Sequence, residues 1–114
     1  MAINSRDKGA RYEVHIAKRL REYGYEAERG CQHSGGKDSP DVKCNMEGLH
    51  LELKKVEKLN IWNALAQSER DAGEDEIPAV VFARNRSKDY VAVPFESFME
   101  LFIAWEKENA TIKE

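Results

Sequence analysis

The chain has 114 residues, 41% hydrophobic and 34% charged, with a formal net charge of −3, which is the length and composition of a single globular domain, residues 1–114, with one modest core. No apolar run approaches the roughly 20 residues that cross a bilayer, no signal-peptide core is present, and two isolated cysteines, Cys31 and Cys44, give neither a disulfide framework nor zinc-site spacing. The expectation is an intracellular, cytoplasmic protein with reduced thiols, no membrane contact and no small-molecule cofactor.

In chain order, "KGARYEVHIAKRLREY", residues 8–23, reads as a helix, because Ile16, Ala17 and Leu20 recur at helical spacing and Gly24 suits its C-terminal end. "YEAER" reads as a short strand and "GCQHSGGKDSP" as a glycine-rich loop. "DVKCN" and "LHLELKKV" read as two strands of a hairpin turning near Met46 to Gly48. "IWNALAQSERDA" reads as a second helix, with Asn60 as its N-cap and Gly73 just past its end. "IPAVVFA" is an apolar run that suits a buried central strand, and "DYVAVPF" alternates like its neighbour. A final helix from about Phe95 carries Phe98, Leu101, Phe102 and Trp105 at i, i+3, i+4 and i+7, a stripe expected to face the core. The predicted order is α β β β α β β α, with no internal repeat.

The hairpin is unusual in placing charge at inward-capable positions. In "LHLELKK" the side chains alternate, so Leu49, Leu51 and Leu53 share one face and His50, Glu52 and Lys54 the other. A turn centred between Met46 and Glu47 puts Asp41 opposite Glu52, with Cα atoms about 4.5 to 5.5 Å apart. Two carboxylates that close repel unless a cation lies between them, and an all-oxygen cluster suits Mg²⁺ or Mn²⁺. The plain alternative is a wet strand face with a weak Glu52–Lys54 ion pair. Glu13 falls on the apolar stripe of the first helix. It is either a third acid reaching the same cation or an edge residue snorkelling to water.

Together, "KGARYE" opening a helix, "YGYEAER" leading into "HSGG", then "PDV" and "LELKK", resemble the archaeal-type Holliday junction resolvases of the PD-(D/E)XK nuclease superfamily, from about Lys8 to Phe95. The resemblance implies a restriction-endonuclease-like α/β fold, a mixed central sheet flanked by helices. It implies metal-linked acids at Glu13, Asp41 and Glu52, a catalytic Lys54 and a backbone carbonyl ligand from Leu53. It implies a loop serine near the scissile phosphate, Ser34 with Ser39 as rival, and a phosphate-contacting Arg29. A phage-encoded member is one form this takes. The expected activity is Mg²⁺- or Mn²⁺-dependent hydrolysis of phosphodiesters at four-way junctions, leaving 5′-phosphate and 3′-hydroxyl ends. A nuclease acting on duplex, flap or single-stranded DNA, or a silent DNA-binding module of the same fold, are the alternatives.

Residues 1–60 hold 12 Lys and Arg against 10 Asp and Glu, and residues 61–114 hold 6 against 11, so a DNA surface would come mostly from the first half. Lys8, Arg11, Lys37, Lys55 and Lys58 are candidate phosphate contacts, each equally readable as a solubilising charge. His33 and His50 are open to metal or phosphate, but a lone loop or strand histidine is more often a surface residue, and that is the reading expected. "ARNRSK" reads as a basic turn, open to DNA or only to solvent, and Gln67 as a helix-surface residue or a neighbour of the active site. A two-fold symmetric junction cut by a chain with acids for one site calls for a homodimer, with Trp62 and Trp105 as candidate packing or pairing residues.

Overall fold

A computed structural model of the protein describes residues 5–30 and 41–113. The elements follow the predicted order: α1 (Ser5–Glu22), β1 (Ala27–Arg29), β2 (Val42–Cys44), β3 (Leu49–Lys55), α2 (Ile61–Asp71), β4 (Ile77–Ala83), β5 (Tyr90–Ala92) and α3 (Phe95–Lys113). Gly24 ends α1 at φ 97°, a conformation that glycine adopts without strain. The side chain of Asn60 accepts the N–H of Asn63 at 3.1 Å and caps α2 as expected.

The strand pairing departs from the hairpin reading. β2 pairs antiparallel with β1, Arg29 opposite Val42, while β3 pairs in parallel with β4, Leu49 opposite Ile77 and Glu52 opposite Val80. β5 then adds antiparallel to the far side of β4. β1 and β2 thus form a two-stranded sheet of their own, and the three-stranded β3–β4–β5 sheet is mixed and flanked by helices, an α/β architecture compatible with a restriction-endonuclease-like fold. The parallel β3–β4 pair needs a crossover, and α2 supplies it. A local turn at residues 45–48 was legible, but two strands near in sequence need not pair when a longer, fully apolar partner is available.

Both faces of β3 and β4 are covered. Leu51, Leu53, Ala79, Val81 and Ala83 pack with Tyr12, Ile16 and Ala17 of α1 and with Val42. The opposite face, with His50, Glu52 and Val80, meets α2, whose buried residues are Ala64 and Ser68. The loop before β5 is tied to α1 through Asp89, which accepts hydrogen bonds from the Tyr12 hydroxyl at 2.8 Å and the Arg19 guanidinium at 2.8 Å and lies 3.0 Å from His15 Nε2. Burial pushes the Asp89 carboxyl upward, but its bonds with His15, Arg19 and Tyr12 outweigh this and hold it below the usual carboxylate range.

α3 is the second departure. Phe98, Leu101, Phe102 and Trp105 keep their helical spacing, yet all four are exposed, with Trp105 at 59%. Phe98 stacks on Phe102 and Phe102 tilts against Trp105, so the stripe packs along itself. The molecule measures 57 × 28 × 27 Å, elongation that fits a 19-residue helix of about 28 Å. Periodicity marks which residues share a face and says nothing about whether that face meets the chain's own core.

Candidate active site

β3 positions the site. Its alternation sends His50, Glu52 and Lys54 to the α2 side, and because α2 covers that side, Glu52 is buried at 6% exposure and His50 at 8%. The surface reading of His50 is thereby corrected: both faces of this strand are covered, not one. Lys54 Nζ lies 3.7 Å from Glu52 Oε2, and His50 Nε2 lies 3.9 Å from Glu52 Oε1.

Asp41 reaches this strand without a β2–β3 ladder. Its Oδ2 accepts the backbone N–H of Leu53 at 2.9 Å, so the carboxylate meets an edge of β3 that no strand of the described residues occupies. In an extended strand a residue's N–H and C=O leave the backbone on the same side, so the Leu53 carbonyl faces that edge too. The hairpin register that set Asp41 opposite Glu52 is thereby corrected: β2 and β3 do not pair, and what ties Asp41 to β3 is its bond to the Leu53 N–H.

The charge distribution is unbalanced in a way that a cation would correct. Burial, then the neighbouring Asp41 and Asp71 carboxylates, push the Glu52 carboxyl up to about 7, and the Lys54 ammonium only partly opposes this. Among the described residues, ligand atoms of His50, Glu52 and Asp71 lie within 4.8 Å of one another. Neighbouring carboxylates, one of them short of countercharge, fit a divalent metal ion, and carboxylate and carbonyl oxygens are the ligands that a hard cation takes.

Glu13 pairs with Arg29. Its Oε2 accepts the Nε–H of Arg29 at 2.6 Å, joining α1 to the end of β1. Glu13 therefore has the partner that its place on the apolar face demands, and Arg29 is its countercharge. Arg11 and Lys58 are exposed, and Lys8 and Lys55 half-buried, with Lys55 Nζ 5.8 Å from the Tyr12 ring centre. In the basic turn, Ser87 bonds back to Arg84, and Arg84, Asn85 and Arg86 are exposed. Ser34, Ser39, Lys37 and His33 lie outside the described residues.

Asp71 was missed by the sequence reading. It stands in the last turn of α2, three residues after the buried Ser68 and so on the inward face. An acid at a helix C-terminus opposes the helix dipole, and that local misfit was its available signal.

A mixed sheet whose β3 carries a buried glutamate and a lysine on one face, with an aspartate bonded to its backbone, has the framework of a metal-dependent nuclease. The family model described as "Phage putative PDDEXK endonuclease" matches residues 4–113, and the chain belongs to that family. Membership supports the PD-(D/E)XK superfamily, whose nucleases generally depend on a divalent metal, and a phage origin; the archaeal-type resolvase likeness is not what the model matches. No curated protein and no solved structure matches the chain. No helix among the described residues is long and apolar enough to cross a membrane.

Proposed function

We propose that the protein is a Mg²⁺- or Mn²⁺-dependent DNA endonuclease that cuts four-way junctions as a homodimer. The observation that carries the catalytic part is Glu52: a buried carboxyl raised to about 7 beside Asp41, with Lys54 3.7 Å away on the same strand. Asp41, Glu52 and the Leu53 carbonyl would hold the ion, with Glu13, paired with Arg29, as the third acid that the resemblance implies. When bound, the ion supplies Lewis-acid polarisation of the phosphate and a more acidic attacking water.

The remaining steps belong to the chain. Glu52 must be ionised to hold the ion, so ion binding releases a proton and strengthens as pH rises towards about 7. The Lys54 ammonium orients the water and places positive charge beside the transferring phosphoryl group. Arg29 bonds Glu13 through Nε, leaving the terminal nitrogens of a half-exposed guanidinium to meet a phosphate oxygen. Water adds to phosphorus and the 3′-oxygen leaves, giving a 5′-phosphate and a 3′-hydroxyl.

The junction and dimer parts rest on symmetry and on α3. A two-fold junction needs two cuts, each chain has one Asp41–Glu52–Lys54 set, and an isologous dimer supplies two. The exposed stripe of α3, with Leu101 bordering an apolar groove of about 330 Å³ that Val91 and Val93 also line, gives a second copy an apolar face to cover.

Incubation of labelled four-way junction, flap, duplex and single strand with and without Mg²⁺ tests the reading. Paired symmetric cuts in the junction, only with the ion, are expected. Faster cleavage of duplex or flap moves the substrate to that class, and no cleavage of any DNA with either ion overturns the enzyme.

A further inference from the structure

The α2 face of β3 holds His50, Glu52 and Asp71, of which the reaction above uses only Glu52. His50 is nine-tenths buried and its Nε2 has no hydrogen-bond partner. A buried nitrogen left unpaired is destabilising, and such groups call for an explanation. That nitrogen lies 3.9 Å from Glu52 Oε1, too far to be a hydrogen bond, while His50, Glu52 and Asp71 each offer a ligand atom within 4.8 Å of the others. The three converge from separate elements, two from adjacent same-face positions of β3 and one from the last turn of α2.

Access is built in as well. A cavity of about 680 Å³ opens beside the group, walled by His50 and Asp71 and rimmed by Glu74 and Glu76. Its acidic rim attracts cations.

We infer that His50, Glu52 and Asp71 form a second metal site, distinct from the oxygen-only set around Asp41, that takes a first-row transition ion such as Mn²⁺ or Zn²⁺ in preference to Mg²⁺. The selectivity follows from the donor set. Mg²⁺ takes oxygen ligands and keeps its waters, whereas an imidazole nitrogen raises affinity along the order from Mn²⁺ towards Zn²⁺. Glu52 serves both sites through different oxygens: Oε2 faces Lys54 and Oε1 faces His50. The ion replaces the missing partner of His50 and neutralises the Glu52–Asp71 repulsion together. Ser68, whose buried Oγ is also unpartnered, lies one helical turn before Asp71 on the same face, within the polar lining of this interface.

Pulsed electron paramagnetic resonance of Mn²⁺ bound to the full chain tests this without DNA. Wild type should show nitrogen modulation from one imidazole. His50→Gln should lose it, Asp41→Asn should keep it, and Asp71→Asn should weaken Mn²⁺ or Zn²⁺ binding at least about tenfold by calorimetry while changing Mg²⁺ binding less than about twofold. A wild-type spectrum without nitrogen modulation overturns the site, as does modulation that persists in His50→Gln. Asp71→Asn keeps the test open if His50→Gln fails to fold. The site stands on side-chain geometry and the nuclease on cleavage: loss of one result leaves the other intact.

Discussion

β3 and α3 invert the usual partition of side chains in opposite directions. The strand buries a glutamate and a histidine, whereas the helix leaves Phe95, Phe98, Leu101, Phe102 and Trp105 to solvent. A buried carboxyl raised to about 7 costs roughly 3 kcal/mol of stability once ionised. Apolar area left wet forgoes about 25 cal/mol per Å². Neither is the choice of a domain selected for its own stability alone. On the proposed function something outside the chain completes each surface, a cation at the strand and a second copy at α3. The difference lies in range: the strand's deficit would be met within a few ångströms by one ion, and the helix's would need an area of partner surface.

The sharpest way to break that comparison is Glu52→Gln. It should cut cleavage at least about a thousandfold, about 4 kcal/mol of barrier, with circular dichroism and junction binding retained. Activity above a tenth of wild type would remove Glu52 from the metal set. The same substitution tests the strand's cost directly. Because the folded carboxyl sits near 7 and an unfolded one near 4.3, its stabilising share is complete below about pH 4 and is lost as pH rises through 7. Metal-free Glu52→Gln should therefore be more stable than wild type by roughly 3 kcal/mol at pH 8 and equal to it near pH 4, read from urea midpoints. Equal stability at both values would mean that Glu52 is not held in the electrostatic debt described here.

On the helix side, Leu101→Glu with Trp105→Glu should weaken self-association at least about a hundredfold, about 2.7 kcal/mol, moving sedimentation equilibrium from about twice the 13.1 kDa chain mass to the monomer. A wild-type monomer at micromolar concentration that still makes paired cuts would end the dimer reading. Lys54→Ala should slow the chemical step about thirtyfold, about 2 kcal/mol, with Mn²⁺ affinity in calorimetry little changed. An equal fall in both would make Lys54 a support for the ligands instead. The smallest effect is the control: Asn60→Ala removes the α2 cap and should cost about 1 kcal/mol of stability, with no change in metal binding.

The local grammar of the chain was legible throughout. Gly24, Asn60 and Gly73 bounded helices because caps are set by the backbone groups of one turn, and "IPAVVFA" became β4 because an apolar run of that length has few other uses. The alternation of "LHLELKK" placed Glu52 and Lys54 side by side, since neighbouring same-face residues of a strand are fixed by the pleat alone. Long-range choices were not written locally. Whether β2 pairs with β3 or β1, whether the second face of β3 is wet or covered by α2, and whether the α3 stripe meets its own sheet depend on which surfaces, distant in sequence, come together. For that reason Asp41 reached the site through the Leu53 N–H and not through a hairpin register, His50 went from surface to interior, and Asp71 joined the group from twenty residues away, while Phe98 to Trp105 kept their spacing and lost their expected core. Periodicity fixes the relation of a side chain to its near neighbours in sequence; burial is a relation to the rest of the fold, and only the tertiary structure decides it.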